Sequence, residues 1–172
     1  MILEMNKAYI INLAEINSEI GNWFKVSMKL FPDLLTDGRI LGRVLENVMS
    51  SLFSNVSLSE SVDCDLKVNN IFKVEIKSSL KNGGINFAPS NMIGASRKYN
   101  FEEHTEKTKE LDYYIAIDRS KLPIIELIPI ESKIENVSLT NRLGNKKANY
   151  TAIEWNKHKE KLLLDREVVV YE

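Results

Sequence analysis

The sequence predicts a mixed α/β domain, and three observations carry that expectation. Two amphipathic stretches of helical spacing occupy the first third of the chain. Near Ser61 the period of the apolar residues changes from about 3.6 to 2, the change from helix to half-buried strand. Two apolar runs bounded by turn residues, 111–117 and 123–130, then read as buried strands, and a last helical stretch follows them. A chain of 172 residues can bury a core of its own and fits one domain.

The first helix is expected from about Asn6 to Lys29, on Ile10, Leu13, Ile16, Ile20, Trp23 and Phe24, with Pro32 as its stop. Trp23 and Phe24 fit either the core or a partner-facing surface, and the core is expected. Asp37-Gly38 forms a turn or N-cap before a second helix, whose stripe is Ile40, Leu41, Val44, Leu45, Val48, Met49, Leu52 and Phe53. Gly42 and Glu46 lie on one flank of it. Glu46 therefore stands at the border of the buried face, within reach of a neighbouring sheet.

From Ser61 to Lys67, Val62, Cys64 and Leu66 point one way and Asp63, Asp65 and Lys67 the other. Val68-Asn69-Asn70 is turn material. From Ile71 to Ser78, Phe72, Val74 and Ile76 share one face, and Lys73, Glu75 and Lys77 share the opposite one. The unit is a β-hairpin with two registers open: a three-residue loop sets Asp63 opposite Glu75, and a tighter one sets Asp65 there.

Residues 80–88, with Lys81-Asn82-Gly83-Gly84, read as a flexible loop. Pro89-Ser90-Asn91 can cap a short helix reaching about Asn100. Residues 101–110 are acidic and suit a solvated helix or loop. After the two buried runs comes a polar, Asn-rich segment, 135–150, then a helix at about 152–164 and a short strand at 167–171. The chain is expected to divide into N-terminal helices (1–56), a hairpin and sheet core (57–131) and a C-terminal segment (132–172).

Composition excludes several functions. Lys plus Arg is 23 and Asp plus Glu is 24, a net charge of −1, so bulk positive charge does not drive nucleic-acid binding; a locally basic cleft remains open. One cysteine, Cys64, permits no disulfide framework and no cysteine-rich zinc site, and it reads as core. His104 and His158 are too few and too far apart for a two-histidine zinc motif, and both read as solvated. No apolar run reaches the length of a membrane span, and residues 1–16 do not read as a signal peptide. The expected compartment is the cytoplasm.

The chemistry is concentrated in the hairpin. Alternation places Asp65, Glu75 and Lys77 on one face. Two carboxylates that repel each other attract a hard divalent cation, with Mg²⁺ the expected one, and the Ile76 carbonyl between them can add a ligand. Lys77 can position or deprotonate a water against a phosphorus centre, and such a metal site hydrolyses phosphodiesters. A second Glu-X-Lys, Glu131-Ser-Lys133 with Asp118 upstream, lacks an alternating strand that would bring its acid to the same face.

The stretch from Gly38-Arg-Ile-Leu-Gly-Arg-Val-Leu-Glu46 through Asp65 to Glu75-Ile-Lys77 resembles the PD-(D/E)XK nuclease superfamily, and within it the small type II restriction endonucleases. The resemblance covers about half the chain and implies a restriction-endonuclease-like mixed central β-sheet flanked by helices. It implies Asp65 and Glu75 as metal ligands with Ile76, Lys77 as the catalytic lysine and Glu46 as the assisting helix acid. The proline that precedes the family's Asp is replaced here by Cys64, which keeps Asp63 open as the alternative catalytic acid.

Two segments are locally basic. One holds Lys73, Lys77, Lys81, Arg97 and Lys98, and the other Arg142, Lys146, Lys147, Lys157, Lys159 and Lys161. Either can neutralise phosphates. Asn82, Asn86, Ser90, Asn91, Asn141, Asn145 and Asn149 can supply base-edge hydrogen bonds. The expected function is Mg²⁺-dependent cleavage of double-stranded DNA at a short site. Such sites are usually palindromic, which implies a homodimer, with the Trp23–Phe24 helix as its candidate surface. A cognate DNA methyltransferase would protect the host. A structure-specific nuclease of the same fold, such as a junction resolvase or repair nuclease, and a non-catalytic DNA-binding module are the alternatives.

Overall fold

The computed structural model describes residues 1–16, 21–23, 25, 29, 38–94 and 96–171. Two long strands form its middle, β6 (Tyr113–Lys121) and β7 (Ile124–Glu131) in chain order, and both faces of each are covered. That is why their sequences are almost unbroken apolar runs rather than alternations. Around them lie β1 (Ala8–Asn12), helix α1 (Gly38–Leu52), β2 (Val56–Leu58), β3 (Leu66–Val68), β4 (Phe72–Ser78), β5 (Ile85–Asn86) and helix α2 (Phe101–Glu110). After β7 come α3 (Ile134–Val137), β8 (Leu139–Thr140), β9 (Lys146–Lys147), β10 (Asn149–Tyr150), α4 (Ala152–Leu163) and β11 (Val168–Tyr171). Seven strands form one mixed sheet in the order β11-β1-β7-β6-β4-β3-β2, with β5–β10 and β8–β9 as separate two-stranded pairs.

One apolar core lies between the sheet and α1, where Leu41, Leu45, Val48 and Met49 meet Leu66, Val74, Ile115 and Leu127. The second lies on the other side, where Trp155 of α4 meets Phe87, Tyr114 and Tyr150. The two longer helices on that side, α2 and α4, begin with side-chain caps. Asn100 accepts the Glu103 N–H at the start of α2, and Thr151 with Glu154 forms a capping box at the start of α4.

The N-terminal expectation is corrected in its first part, while residues 21–23, 25 and 29 are helical as expected. Residues 8–12 form β1, between β7 and β11, not the start of a helix. β1 is buried on both faces, Tyr9 and Ile11 in one core and Ala8 in the other, so its Tyr9-Ile10-Ile11 run followed by Leu13 and Ile16 imitates helical spacing. Trp23 is 43% exposed, which removes it from the core. Ile20, Phe24, Pro32 and Asp37 lie outside the described residues. The C-terminal segment also joins the central sheet, through β11 paired in parallel with β1. Residues 80–88 are not a loose loop. Leu80 and Gly84 close a turn, and β5 pairs with β10 so closely that a Cβ on Gly84 would stand 2.7 Å from the Tyr150 carbonyl oxygen. The helix expected after Pro89 is a single 3₁₀ turn, Ser90–Met92.

Lys159 is no part of a basic surface. Its ammonium lies 2.7 Å from Asp118 and 2.8 Å from Glu126, which face each other across β6 and β7. Burial alone would raise the Asp118 carboxyl, but Lys159 and Ser120 outweigh it and hold it below its ordinary value. Lys159→Met leaves two carboxylates on one rung with no counter-charge. The expected loss is about 3 kcal/mol, visible as a lower urea midpoint with unchanged slope; an unchanged midpoint would show that the network is dispensable. Among the described residues no helix is long and apolar enough to cross a membrane.

Candidate functional site

Of the two registers the hairpin takes the one that sets Asp65 opposite Glu75, with three residues, Asn69, Asn70 and Ile71, between the paired Val68 and Phe72. Asn69 and Asn70 both adopt left-handed backbone, φ 55° and 57°, the requirement of a tight hairpin turn. Leu66 then pairs with Val74, which sets Asp65 opposite Glu75. The strand β3 is shorter than expected, and residues 61–64 turn away from the sheet. Asp63 therefore leaves the rung. Its carboxylate accepts the Ser61 hydroxyl at 2.8 Å, and its carbonyl accepts the Lys107 ammonium at 2.9 Å.

Where β3 ends, the Asp65 side chain continues the ladder. Its main-chain N–H donates to the Val74 carbonyl, and its carboxylate accepts the Ile76 N–H at 2.8 Å. The N–H and C=O of one strand residue point to the same edge, so the Ile76 carbonyl also faces Asp65. Glu75 and Lys77 form an ion pair of 2.6 Å, with side chains 15% and 11% exposed. The Lys77 ammonium donates a further bond to the Ala88 carbonyl at 3.0 Å. Glu46 comes up from α1, 13% exposed and paired with Arg43 at 3.0 Å.

Burial lifts the Asp65 carboxyl to about 6. The Ile76 N–H and Lys77 oppose the rise, and the negative charges of Glu75 and Glu46 add to it. Acids from α1 and β4 thus act on Asp65 just before the start of β3. Asp65 and Glu75 open into a cleft of about 450 Å³, walled by Asp63, Glu103, Glu106, Lys107 and Glu110 and by Pro89, Ser90 and Asn91. Six carboxylates against one ammonium make this cleft strongly acidic. A phosphodiester approaches it favourably only in company with cations.

The donor set would suit a hard divalent ion: Asp65, opposite Glu75 and bonded to the Ile76 N–H, Glu75 itself and the Ile76 carbonyl offer only oxygen atoms. Among the described residues no three acid, imidazole or thiol side chains are grouped to enclose an ion by themselves. The third protein ligand would have to be the main-chain oxygen.

His104 is fully buried, not solvated. Its Nδ1 lies 2.9 Å from the Tyr99 hydroxyl and its Nε2 3.4 Å from that of Tyr114. Burial, then the nearby Lys77, lowers its pKa to about 4, so the imidazole is neutral at pH 7. Its acidic neighbours in sequence, Glu102, Glu103 and Glu106, are exposed on the other side of α2, and they mask the buried face. His158 is also corrected. It is half-buried rather than solvated, packs on Tyr150 and Trp155 and bonds the Asn136 carbonyl at 2.9 Å.

The residues expected to meet DNA divide by what they already do. Asn82 and Asn86 accept main-chain N–H groups of Gly84 and Ala88, and Arg97 donates to the Ser90 and Ile93 carbonyls. Lys147 is paired with Glu154 at 2.7 Å, and Asn91 donates to Glu103. Lys146 bonds the Thr140 hydroxyl and lies 5.4 Å from the centre of the Phe101 ring. Ser90, Lys81, Lys98, Arg142 and Asn145 are exposed or half-buried at the surface. The second Glu-X-Lys is a surface ion pair, Glu131–Lys133, remote from the buried Asp118. No protein-family model and no curated protein matches this chain.

Asp63→Ala and Asp65→Ala separate the two candidate acids. The Asp63 variant is expected to keep activity within a few-fold, and the Asp65 variant to lose it in a plasmid-nicking assay. The reverse order of activities would move the site to Asp63.

Proposed function

We propose that the protein is a divalent-metal-dependent endonuclease that cleaves double-stranded DNA at a short specific sequence, in the manner of type II restriction endonucleases. The observation that carries this reading is the Asp65–Glu75 rung, with Lys77 two residues on and Glu46 brought to its edge by the preceding helix. That is the arrangement which the PD-(D/E)XK resemblance implies, set on a mixed sheet flanked by helices.

Asp65, Glu75 and the Ile76 carbonyl would hold Mg²⁺, which when bound polarises a phosphoryl oxygen and makes its water acidic. The protein's own groups do the rest. Lys77, tethered by Glu75 and Ala88, stands where it can orient a water and carry positive charge toward the developing oxyanion. Glu46, whose charge acts on Asp65, would assist the binding of the ion through water. Glu46→Gln is therefore expected to cost about 10–100-fold in cleavage, as outer-shell carboxylates do; steady-state nicking rates at several Mg²⁺ concentrations check this, and a wild-type rate throughout would free Glu46 of any role. The reading extends to a homodimer in the cytoplasm that works beside a cognate methyltransferase.

The deciding experiment is plasmid cleavage with Mg²⁺, read on agarose. Discrete bands support a site-specific endonuclease. Cleavage confined to branched substrates would instead make it a structure-specific nuclease. DNA binding with no cleavage under any divalent metal would make it a binding module.

A further inference from the structure

The β8–β9 hairpin holds a feature that the proposed chemistry leaves unused. Its turn is built from within. The Asn141 side-chain oxygen accepts the N–H of Leu143 and of Asn145, both at 2.9 Å. Asn141 N–H donates to the Asn145 carbonyl, Gly144 N–H donates to the Asn141 carbonyl, and Gly144 takes φ +81°, which suits glycine. A turn fixed in this way has already lost its chain entropy. Yet it holds Leu143 at its tip 85% exposed.

An isolated exposed leucine is ordinary; its setting is what matters. Residues 139–147 carry no carboxylate; Lys147 is paired with Glu154, which leaves Arg142 and Lys146 as the hairpin's cations with no carboxylate partner among the described residues. Arg142 is exposed beside Leu143 and has no partner among the described residues. The hairpin is also tied to the cleft. Lys146 lies over Phe101, the first residue of α2, whose Glu103 lines the cleft wall. Just past β9, the Ala148 carbonyl accepts the Phe87 N–H, and the next carbonyl, that of Ala88, holds Lys77. A rigid ribbon with one apolar tip residue, flanked by cations and anchored beside the cleft, has the form of a tool for a charged duplex whose interior is apolar.

We propose that Leu143 is a wedge that enters a groove of bound duplex DNA and loosens a base step, with Arg142 on the adjoining phosphate. Apolar side chains inserted between base steps part them and kink the duplex, and a two-stranded ribbon is narrow enough to enter a groove. The proposal rests on the nuclease reading and adds the means by which the substrate is gripped and deformed.

The test uses Lys77→Ala protein and mixed-sequence duplexes carrying 2-aminopurine, whose emission rises when it unstacks. Binding is expected to raise the emission. Adding Leu143→Ser should abolish the rise and weaken binding about tenfold, the loss that one buried leucine implies. Leu143→Phe should restore the rise. Leu143→Ser should leave the salt dependence of binding unchanged, whereas Arg142→Ala should lower its slope by about one. Both variants change exposed side chains, so their folding serves as the control. Binding without any emission rise, or an equal rise with the Leu143→Ser variant, overturns the wedge. So does a Leu143→Ser variant that turns a dimer into a monomer while the DNA signal persists, because Leu143 then contacts a second copy. If the parent cuts no plasmid and binds no duplex, the nuclease proposal itself has failed, an outcome distinct from cleavage that Leu143→Ser leaves untouched.

Discussion

Lys77→Ala is expected to lower the single-turnover cleavage rate by about 10²–10⁴-fold, the range associated with a positioned proton-transfer group, while duplex affinity changes by no more than a few-fold. The split follows from where the ammonium sits. It is 11% exposed and held between Glu75 at 2.6 Å and the Ala88 carbonyl at 3.0 Å. A cation so enclosed contributes little to the diffuse attraction that governs phosphate binding, because that attraction comes from solvent-facing charge. Its loss should therefore leave the salt slope of binding almost unaltered. Lys77→Arg should not restore the rate, since a planar guanidinium cannot occupy the small space between those two acceptors as a compact ammonium does. Rapid-quench cleavage and filter-binding titrations at several salt concentrations check both halves. Wild-type cleavage by the alanine variant would remove Lys77 from the chemistry.

The hairpin is legible in the sequence because its signals are local. Strict alternation assigns Lys73, Glu75 and Lys77 to one face, and Asn69-Asn70 marks the turn. Register is not legible, because it depends on both asparagines adopting positive φ, and the sequence alone permits the other register as well. The stripe of α1 is legible for the same local reason, although Ile40 is 42% exposed. β1 escapes a local reading because its partners, β7 and β11, lie more than a hundred residues away along the chain. Apolar residues needed on both faces of a strand at Tyr9, Ile10 and Ile11 can equally be counted as a helix face. His104 misleads because its surroundings are assembled by Tyr99 and by Tyr114 on β6, not by its own acidic neighbours. The tether of Lys77 to Ala88 depends on β5 and β10, two-residue strands that leave no periodic trace. Local pattern thus identifies the charged residues of the site, and tertiary pairing decides which of them meet.

Asp65→Asn is expected to stabilise the fold while removing activity. The carboxylate stands where burial, Glu75 and Glu46 all disfavour its charge, and its folded pKa rises from 3.8 to about 6. The unfolded chain releases this proton above 3.8, but the folded protein retains it until about 6. The penalty is therefore absent below the lower value, grows between the two, and is full above the upper one. Asparagine never carries that charge, and its side-chain oxygen can still accept the Ile76 N–H, so the end of the ladder survives. At pH 8 the gain should be about 1–3 kcal/mol, allowing for partial solvent screening, a rise in melting temperature of about 3–8 °C. Below about pH 4 the two proteins should melt together. Added Mg²⁺ should raise the melting temperature of the parent but not of the variant, because only the parent offers the charge that draws the ion. If Asp65 merely closes the hairpin, the variant gains nothing at pH 8, responds to Mg²⁺ as the parent does and keeps whatever activity the parent has. A variant that is more stable, unresponsive to Mg²⁺ and inactive identifies Asp65 as a group held against the interest of the fold for the sake of a cation.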